Sequence, residues 1–220
     1  MVAGPFEPRF EDLPASVPVF PLPGVLLLPR GRLPLRIFEP RYLAMTIDAL
    51  ATPERLIAMA QPLDPEGGAK IPPLYTTACA GRIVSFAETE EGHLMLTLQG
   101  VARLTLGDEI PTTRGYRRFA ADWSAYADDL GAAPASLDRP RLVTALKGYF
   151  KMQGLSANWE AIDETEEERL ITSLAMICPL PPNEKQALLE VPTVTERGQL
   201  LIALIEMALL QDKGSDAARH

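Results

Sequence analysis

The chain has 220 residues and a formal net charge of −8, from 21 Lys and Arg against 29 Asp and Glu. That length suits one large or two small domains, and the acidic balance speaks against a general phosphate- or nucleic-acid-binding surface, though not against a local basic patch. The composition is 47% hydrophobic, enough for a core, and its 15 Gly and 21 Pro favour short strands and corners in the Pro-rich first half.

Residues 1–16 are polar and proline-punctuated and are expected to form a loosely attached arm. They lack the basic start, apolar run and cleavage site of a signal peptide. No stretch approaches the roughly 18 apolar residues a membrane span needs. Cys79 and Cys178 stand alone in apolar surroundings and read as buried free thiols. These features together predict a cytoplasmic protein.

Strands are expected at 17–20, 25–28 and 33–38, with Gly24 and Gly31 near the turns. Pro40 follows Glu39 at a first helical position, where its missing N–H costs nothing. Leu43, Ile47 and Leu50 supply a helical stripe, and Thr52-Pro53 stops it. A strand at 56–60 precedes a loop at 61–73, and strands follow at 76–84, 93–98 and 101–106. Gly92 and Gly100 fall at turn or bulge positions, and residues 115–123 close the block.

Composition changes over 128–136, DDLGAAPAS, and four helical patterns follow. Asp138 can cap a helix over 139–152. The run 160–168 holds six acids, the last three placed in the first turn of a helix that carries Leu170, Ile171, Leu174 and Ile177 and ends at Cys178-Pro179. Asn183 can cap a helix over 184–190, and Thr193 with Glu196 has capping-box spacing ahead of a very apolar helix to about 210. The predicted organisation is an arm at 1–16, a β-rich subdomain at 17–127, a linker at 128–137, a helical subdomain at 138–210 and a disordered tail at 211–220. Trp123 and Trp159 flank the boundary and are expected to wedge the two halves together.

His93 and His220 have no partner at metal-ligand spacing, and no HExxH, CxxC, phosphate loop or GxSxG elbow occurs. No Ser–Lys pair comes with an orienting partner. No catalytic residue, metal or cofactor is expected.

The stretch VFPLPGVLLLPRGRLPLRIFEPRYLAM, residues 19–45, resembles the opening of the substrate-binding N-terminal domain of the ATP-dependent Lon protease, and more closely the free-standing bacterial proteins made of that domain alone. Phe20-Pro21-Leu22, Leu28-Pro29, Leu33-Pro34-Leu35 and Phe38-Glu39-Pro40-Arg41-Tyr42 match in order. Ala80-Gly81-Arg82-Ile83, Gly100-Val101-Ala102-Arg103, the run 182–190 and Thr195-Glu196-Arg197-Gly198 follow. The resemblance covers about residues 17–210 and implies an α+β fold, a PUA-like β-barrel followed by an all-helical C-terminal bundle. This sequence carries no Walker motif, so the resemblance implies recognition without a motor or a protease: a non-catalytic module binding unfolded polypeptide or a partner protein, compatible with a homo-oligomer and with no membrane partner. An exposed apolar groove would serve that role, and its candidate lining is Leu26, Leu28, Leu35, Phe38, Tyr42, Tyr116, Phe119, Trp123 and Trp159. Each is equally a candidate for ordinary core packing. The alternative is RNA binding through the barrel, with Arg30, Arg32, Arg36, Arg41, Arg114, Arg117 and Arg118 as a local basic patch.

Overall fold

The structure, a computed structural model, describes residues 8–64, 71–131 and 134–217, with side chains through Asp212. Parts of the expected arm, loop, linker and tail, namely 1–7, 65–70, 132–133 and 218–220, lie outside the described residues. Six strands form the first half: β1 (Ser16–Pro21), β2 (Arg32–Ile37), β3 (Leu56–Ala60), β4 (Thr77–Glu88), β5 (Leu94–Ile110) and β6 (Arg117–Asp122). Helix α1 (Pro40–Leu50) interrupts them. The second half is α2 (Arg139–Met152), α3 (Trp159–Glu164), α4 (Glu167–Ile177), α5 (Pro182–Glu190) and α6 (Val194–Ala217).

The strands make one mixed sheet in the order β2-β5-β4-β3-β1-β6. Only β1 and β3 run parallel, with Val19 opposite Ala58. This corrects the expected PUA-like barrel. β2 pairs with β5 alone and leaves an open edge, and β4 runs past the end of β3 to leave another, whereas closure would abolish edges. The sheet does curl: a register shift between Leu106 and Glu109 turns the far half of β5 until it also pairs β6. The RNA alternative, which rested on a barrel, loses that basis.

One expected strand is not a strand, and two others are continuous. Residues 25–28 form an irregular segment whose Leu26, Leu27 and Leu28 are fully buried, because an apolar run reads alike in a buried loop and a core strand. The expected strands at 93–98 and 101–106 are one strand, 94–110, and Gly100 sits at a register shift within it, the bulge rather than the turn. Gly100 is needed for a close approach: a Cβ there would press into the Leu28 carbonyl, where the Gly100 amide donates to Gly31 and its carbonyl accepts from Arg30, both at 2.8 Å. α1 begins at Pro40, but its buried stripe is Tyr42, Met45 and Ala49, and Ile47 faces solvent.

The helical half has five helices among the described residues, since α3 forms inside the acidic run. Asp138 caps α2, accepting from the Arg141 amide at 3.1 Å. Thr193 and Glu196 form the reciprocal cap, with the Glu196 amide donating to Thr193 Oγ1 and the Thr193 amide to Glu196 Oε2, both at 3.2 Å. Asn183 is not a cap, because α5 starts at Pro182, and α6 runs on past 210 to Ala217. One apolar cluster lies between the inner face of the sheet and the bundle, joining Leu26–Leu28, Ile37 and Leu98 to Leu142, Leu146, Leu188 and Ile205. A second fills the curl of the sheet, from Val17 and Val19 to Leu104, Phe119 and Trp123.

Candidate functional site

Strands β2, β5 and β4 extend beyond the rest of the sheet as a three-stranded lobe. β3 pairs β4 only from Leu56 opposite Arg82 to Met59 opposite Cys79. One more bond, from the Ile83 amide to the Arg55 carbonyl (2.9 Å), ends that contact. Residues directly opposite across antiparallel strands share a face, so the registers build the outer face in rows. Arg32, Gln99 and Arg82 form one row, Pro34, Thr97 and Ser85 the next, and Arg36, Met95 and Ala87 the third. At the lobe's end the rings of Phe38 and His93 lie 5.8 Å apart. Every one of these side chains is exposed or half-buried, whereas Leu35, Ile37, Leu96, Leu98 and Ile83 on the opposite face are buried.

The lobe therefore displays large apolar side chains to water: Phe38 is 58% exposed, Phe86 54%, Met95 44% and Val84 41%. Phe86 belongs by register to the inner face, opposite Leu96, but lies past the end of β3 and finds no cover. Val84 sits at the bulge between Ile83 and Ser85. Arg36 Nη2 donates to Glu91 Oε2 at 2.6 Å, and His93 Nδ1 lies 3.2 Å from the same oxygen. Such exposed pairs add little stability but tie the hairpin tip to β2.

The two edges of the lobe differ. Main-chain groups along an antiparallel strand point alternately to either neighbour. The bonds of Gly100 to the 30–31 turn aim Gly100, Leu98, Leu96 and Leu94 at β2, so Thr97 and Met95 face β4. Pro34, opposite Thr97, thus stands where the edge would offer an N–H outward, and has none. That blunts β2. On β4 the same alternation turns Ser85 and Ala87 toward β5, and Phe86 and Glu88 away from it. No described residue hydrogen-bonds the main chain of Phe86 or Glu88 on that side.

Of the residues named from sequence, Phe38 lies on this surface. Leu35 is buried at its inner margin, and Leu26, Leu28 and Tyr42 are core. Tyr116 is buried with its hydroxyl donating to Asp48 at 2.9 Å. Phe119 and Trp123 pack in the curl of the sheet, and Trp123 Nε1 donates to the Pro14 carbonyl at 2.9 Å. Trp159 is half-buried in the bundle, 6.0 Å from Phe150 and under Lys147 Nζ. The two tryptophans lie in different clusters, so they do not wedge the halves together. Val84, Phe86 and Met95 went unnamed in the sequence. Their signal was apolar residues of both parities in LMLTL and IVSFA, more than one buried face can absorb.

Polar contacts join the halves alongside the shared apolar cluster. Arg103 on β5, buried, grips Asp129 through Nε–Oδ2 (2.9 Å) and Nη2–Oδ1 (2.7 Å) and donates to the carbonyls of Leu189, Val191 and Pro192. Gln61 Nε2 donates to Pro182 O at 3.0 Å, and Gln186 Nε2 to Thr77 O at 3.1 Å. Lys185 Nζ donates to Gly24 O at 2.9 Å, and burial lowers its pKa. Arg197 donates to Leu188 O, and burial, with Arg103 close by, brings its pKa down to about 10. Arg30, at φ +64°, reaches across to Glu168 and to the Asp129 carbonyl.

A mixed sheet with an uncovered apolar lobe, locked to a helical bundle, defines an α+β chain built around a surface rather than a cleft. Among the described residues no group of three or more His, Cys, Asp or Glu could hold a metal, and no helix is long and apolar enough to cross a membrane. Residues 16–207 match the ATP-dependent protease La (LON) substrate-binding domain, and the chain belongs to that family, a binding rather than a catalytic one. It is 25% identical over 198 residues to a Lon protease of Anaeromyxobacter dehalogenans, covering 89% of this chain and 23% of that one. It is 24% identical to Lon protease 2 of Myxococcus xanthus, covering 89% and 24%. The chain thus spans about a quarter of these relatives. Among solved structures it is similar to a Lon N-terminal domain protein from Xanthomonas campestris (24% identity, TM-score 0.56, covering 86% of this chain and 97% of that one). It is also similar to the N-terminal domain of a Mycobacterium avium complex Lon protease (17%, TM-score 0.58, 87% and 98%). Those two likenesses bear on the fold alone.

Proposed function

We propose that this chain recognises unfolded stretches of other polypeptides, acting in the cytoplasm, and that the β2-β5-β4 lobe is where it does so. The observation that carries the reading is the exposure of Phe38 and Met95 on the outer face of the lobe, of Val84 at its bulge and of Phe86 past the end of β3. A rigid sheet that leaves large apolar residues in water fits a segment that has lost its own core. The family's printed description as a substrate-binding domain supports it, and the two buried free thiols suit a reducing compartment.

The test is a titration of labelled, reduced and carboxymethylated α-lactalbumin against the wild type and a Phe38→Ser, Met95→Ser double variant. Truncating two apolar anchors should weaken binding about tenfold or more. Unfolding stability should move by less than about 1 kcal/mol, since both side chains are exposed. Unchanged affinity in the variant would remove the lobe from recognition.

A further inference from the structure

The open edge of β4 points to how a bound segment is held. We propose that an extended polypeptide adds to the sheet as a further strand along Phe86 and Glu88, and that the preferred segment places an apolar residue opposite Phe86 and a Lys or Arg two positions away, opposite Glu88. This inference rests on the reading of the lobe as a polypeptide-binding surface and adds its mode and its sequence preference.

Three observations carry it. First, β4 loses β3 after Ile83, yet keeps its pairing with β5 through Ser85–Thr97, Phe86–Leu96, Ala87–Met95 and Glu88–Leu94. A rigid strand is thus presented with one side unfilled. Second, the alternation of main-chain direction turns the N–H and C=O of Phe86 and Glu88 to that side. Past the bulge at Val84 the strand carries neither proline nor a basic residue, whereas the β2 edge of the same lobe is blunted by Pro34. Third, Phe86 and Glu88 share a face and are both exposed. A strand laid beside them would be sorted by its side chains: an apolar group against the Phe86 ring, and a cation against the Glu88 carboxylate. Strand addition of this kind draws affinity from main-chain hydrogen bonds and specificity from alternate side chains. A chain of any sequence can supply the first, which suits a module that must accept many partners.

The test follows backbone amides by NMR hydrogen exchange in the full-length protein, with and without a saturating soluble heptapeptide that alternates apolar residues with threonine and carries a lysine two positions from its central phenylalanine. The amides of Phe86 and Glu88 should exchange at least tenfold more slowly when the peptide is bound. Those of Ser85 and Ala87, already bonded to β5, should not change. Replacing the peptide lysine by glutamate should weaken binding about two- to fivefold, the range of one exposed cross-strand charge pair. A Glu88→Lys variant should reverse that preference, and N-methylation of the peptide at alternate residues should abolish binding. Binding of the peptide without protection of Phe86 and Glu88 would overturn strand addition while leaving the lobe as the recognition surface. If neither the peptide nor unfolded α-lactalbumin binds, the reading of the lobe itself falls. Protection of the same two amides without peptide, rising with protein concentration, would assign the edge to a second copy of this chain and overturn the proposal.

Discussion

Arg103 is 4% exposed and makes six hydrogen bonds through its side chain and amide, two of its side-chain bonds forming a fork on Asp129. The guanidinium also lies over the Tyr126 ring at 4.7 Å. Removing it would leave a largely buried carboxylate and three carbonyls without their donor. Arg103→Gln should therefore cost about 3–5 kcal/mol, read from urea midpoints. Arg103→Lys should recover little of it, because an ammonium cannot reproduce the planar fork. In the sequence this residue stood out only as one station of a family resemblance, since its partners lie far along the chain, at 129 and 189–192. Nothing local announces such a convergence. The two thiols are also buried titrating groups. Burial pushes both upward, Cys79 furthest and Cys178 to about 11 from an ordinary 9.0. A thiol that holds its proton more tightly when folded contributes stability that is complete below its unfolded pKa and is lost as pH rises through the folded one. Unfolding midpoints should accordingly fall from about pH 9 upward, and Cys178→Ala should make that fall shallower, from a lower starting stability.

At the scale of elements, β5 shows where sequence reasoning stops. Gly100 sits where two strand patterns meet, and glycine between strands ordinarily signals a turn. The strand instead continues through a register shift at Gly100–Val101, and the glycine is there so that the Leu28–Gly31 turn can lie directly against it. Gly100→Ala should cost at least about 2–3 kcal/mol in chemical unfolding, because the methyl meets main chain that has no rotamer to retreat into. A change near zero would mean that the turn can slide. The helices were more legible. Caps are local, so Asp138 and the Thr193–Glu196 pair could be named without knowing what they packed against. The pairing partners of β1 and β2 were not legible, since the order β2-β5-β4-β3-β1-β6 is a tertiary fact that strand periodicity does not encode. The same holds for the proposed binding surface. The candidate groove lining, from Leu26 to Trp159, is mostly taken up by the two cores. The uncovered residues became visible only once β4 was seen to outrun β3.

For the molecule as a whole, the sheet and the bundle share one apolar cluster and the polar lock around Arg103, Gln61 and Gln186. Neither half keeps a complete core alone, so unfolding should be a single transition. Trp123 reports on the curl of the sheet and Trp159 on the bundle. Two single-tryptophan variants, Trp159→Phe and Trp123→Phe, should give coincident urea curves by fluorescence. Midpoints separated beyond the difference expected from the substitutions themselves would show that the halves melt independently.

The strand order also governs the route by which the chain reaches this state. β1 pairs with β6 about a hundred residues downstream, and β2 finds its partner only in β5. During synthesis β1 can join β3 early, but β2 waits without its partner until about half of the chain has emerged, and the outer side of β1 waits for β6 slightly longer. Long-range pairings of this kind slow folding to the millisecond-to-second range. The chain thus begins its own life with unpaired strands and uncovered leucines, the very features that the proposed strand edge would hold in others.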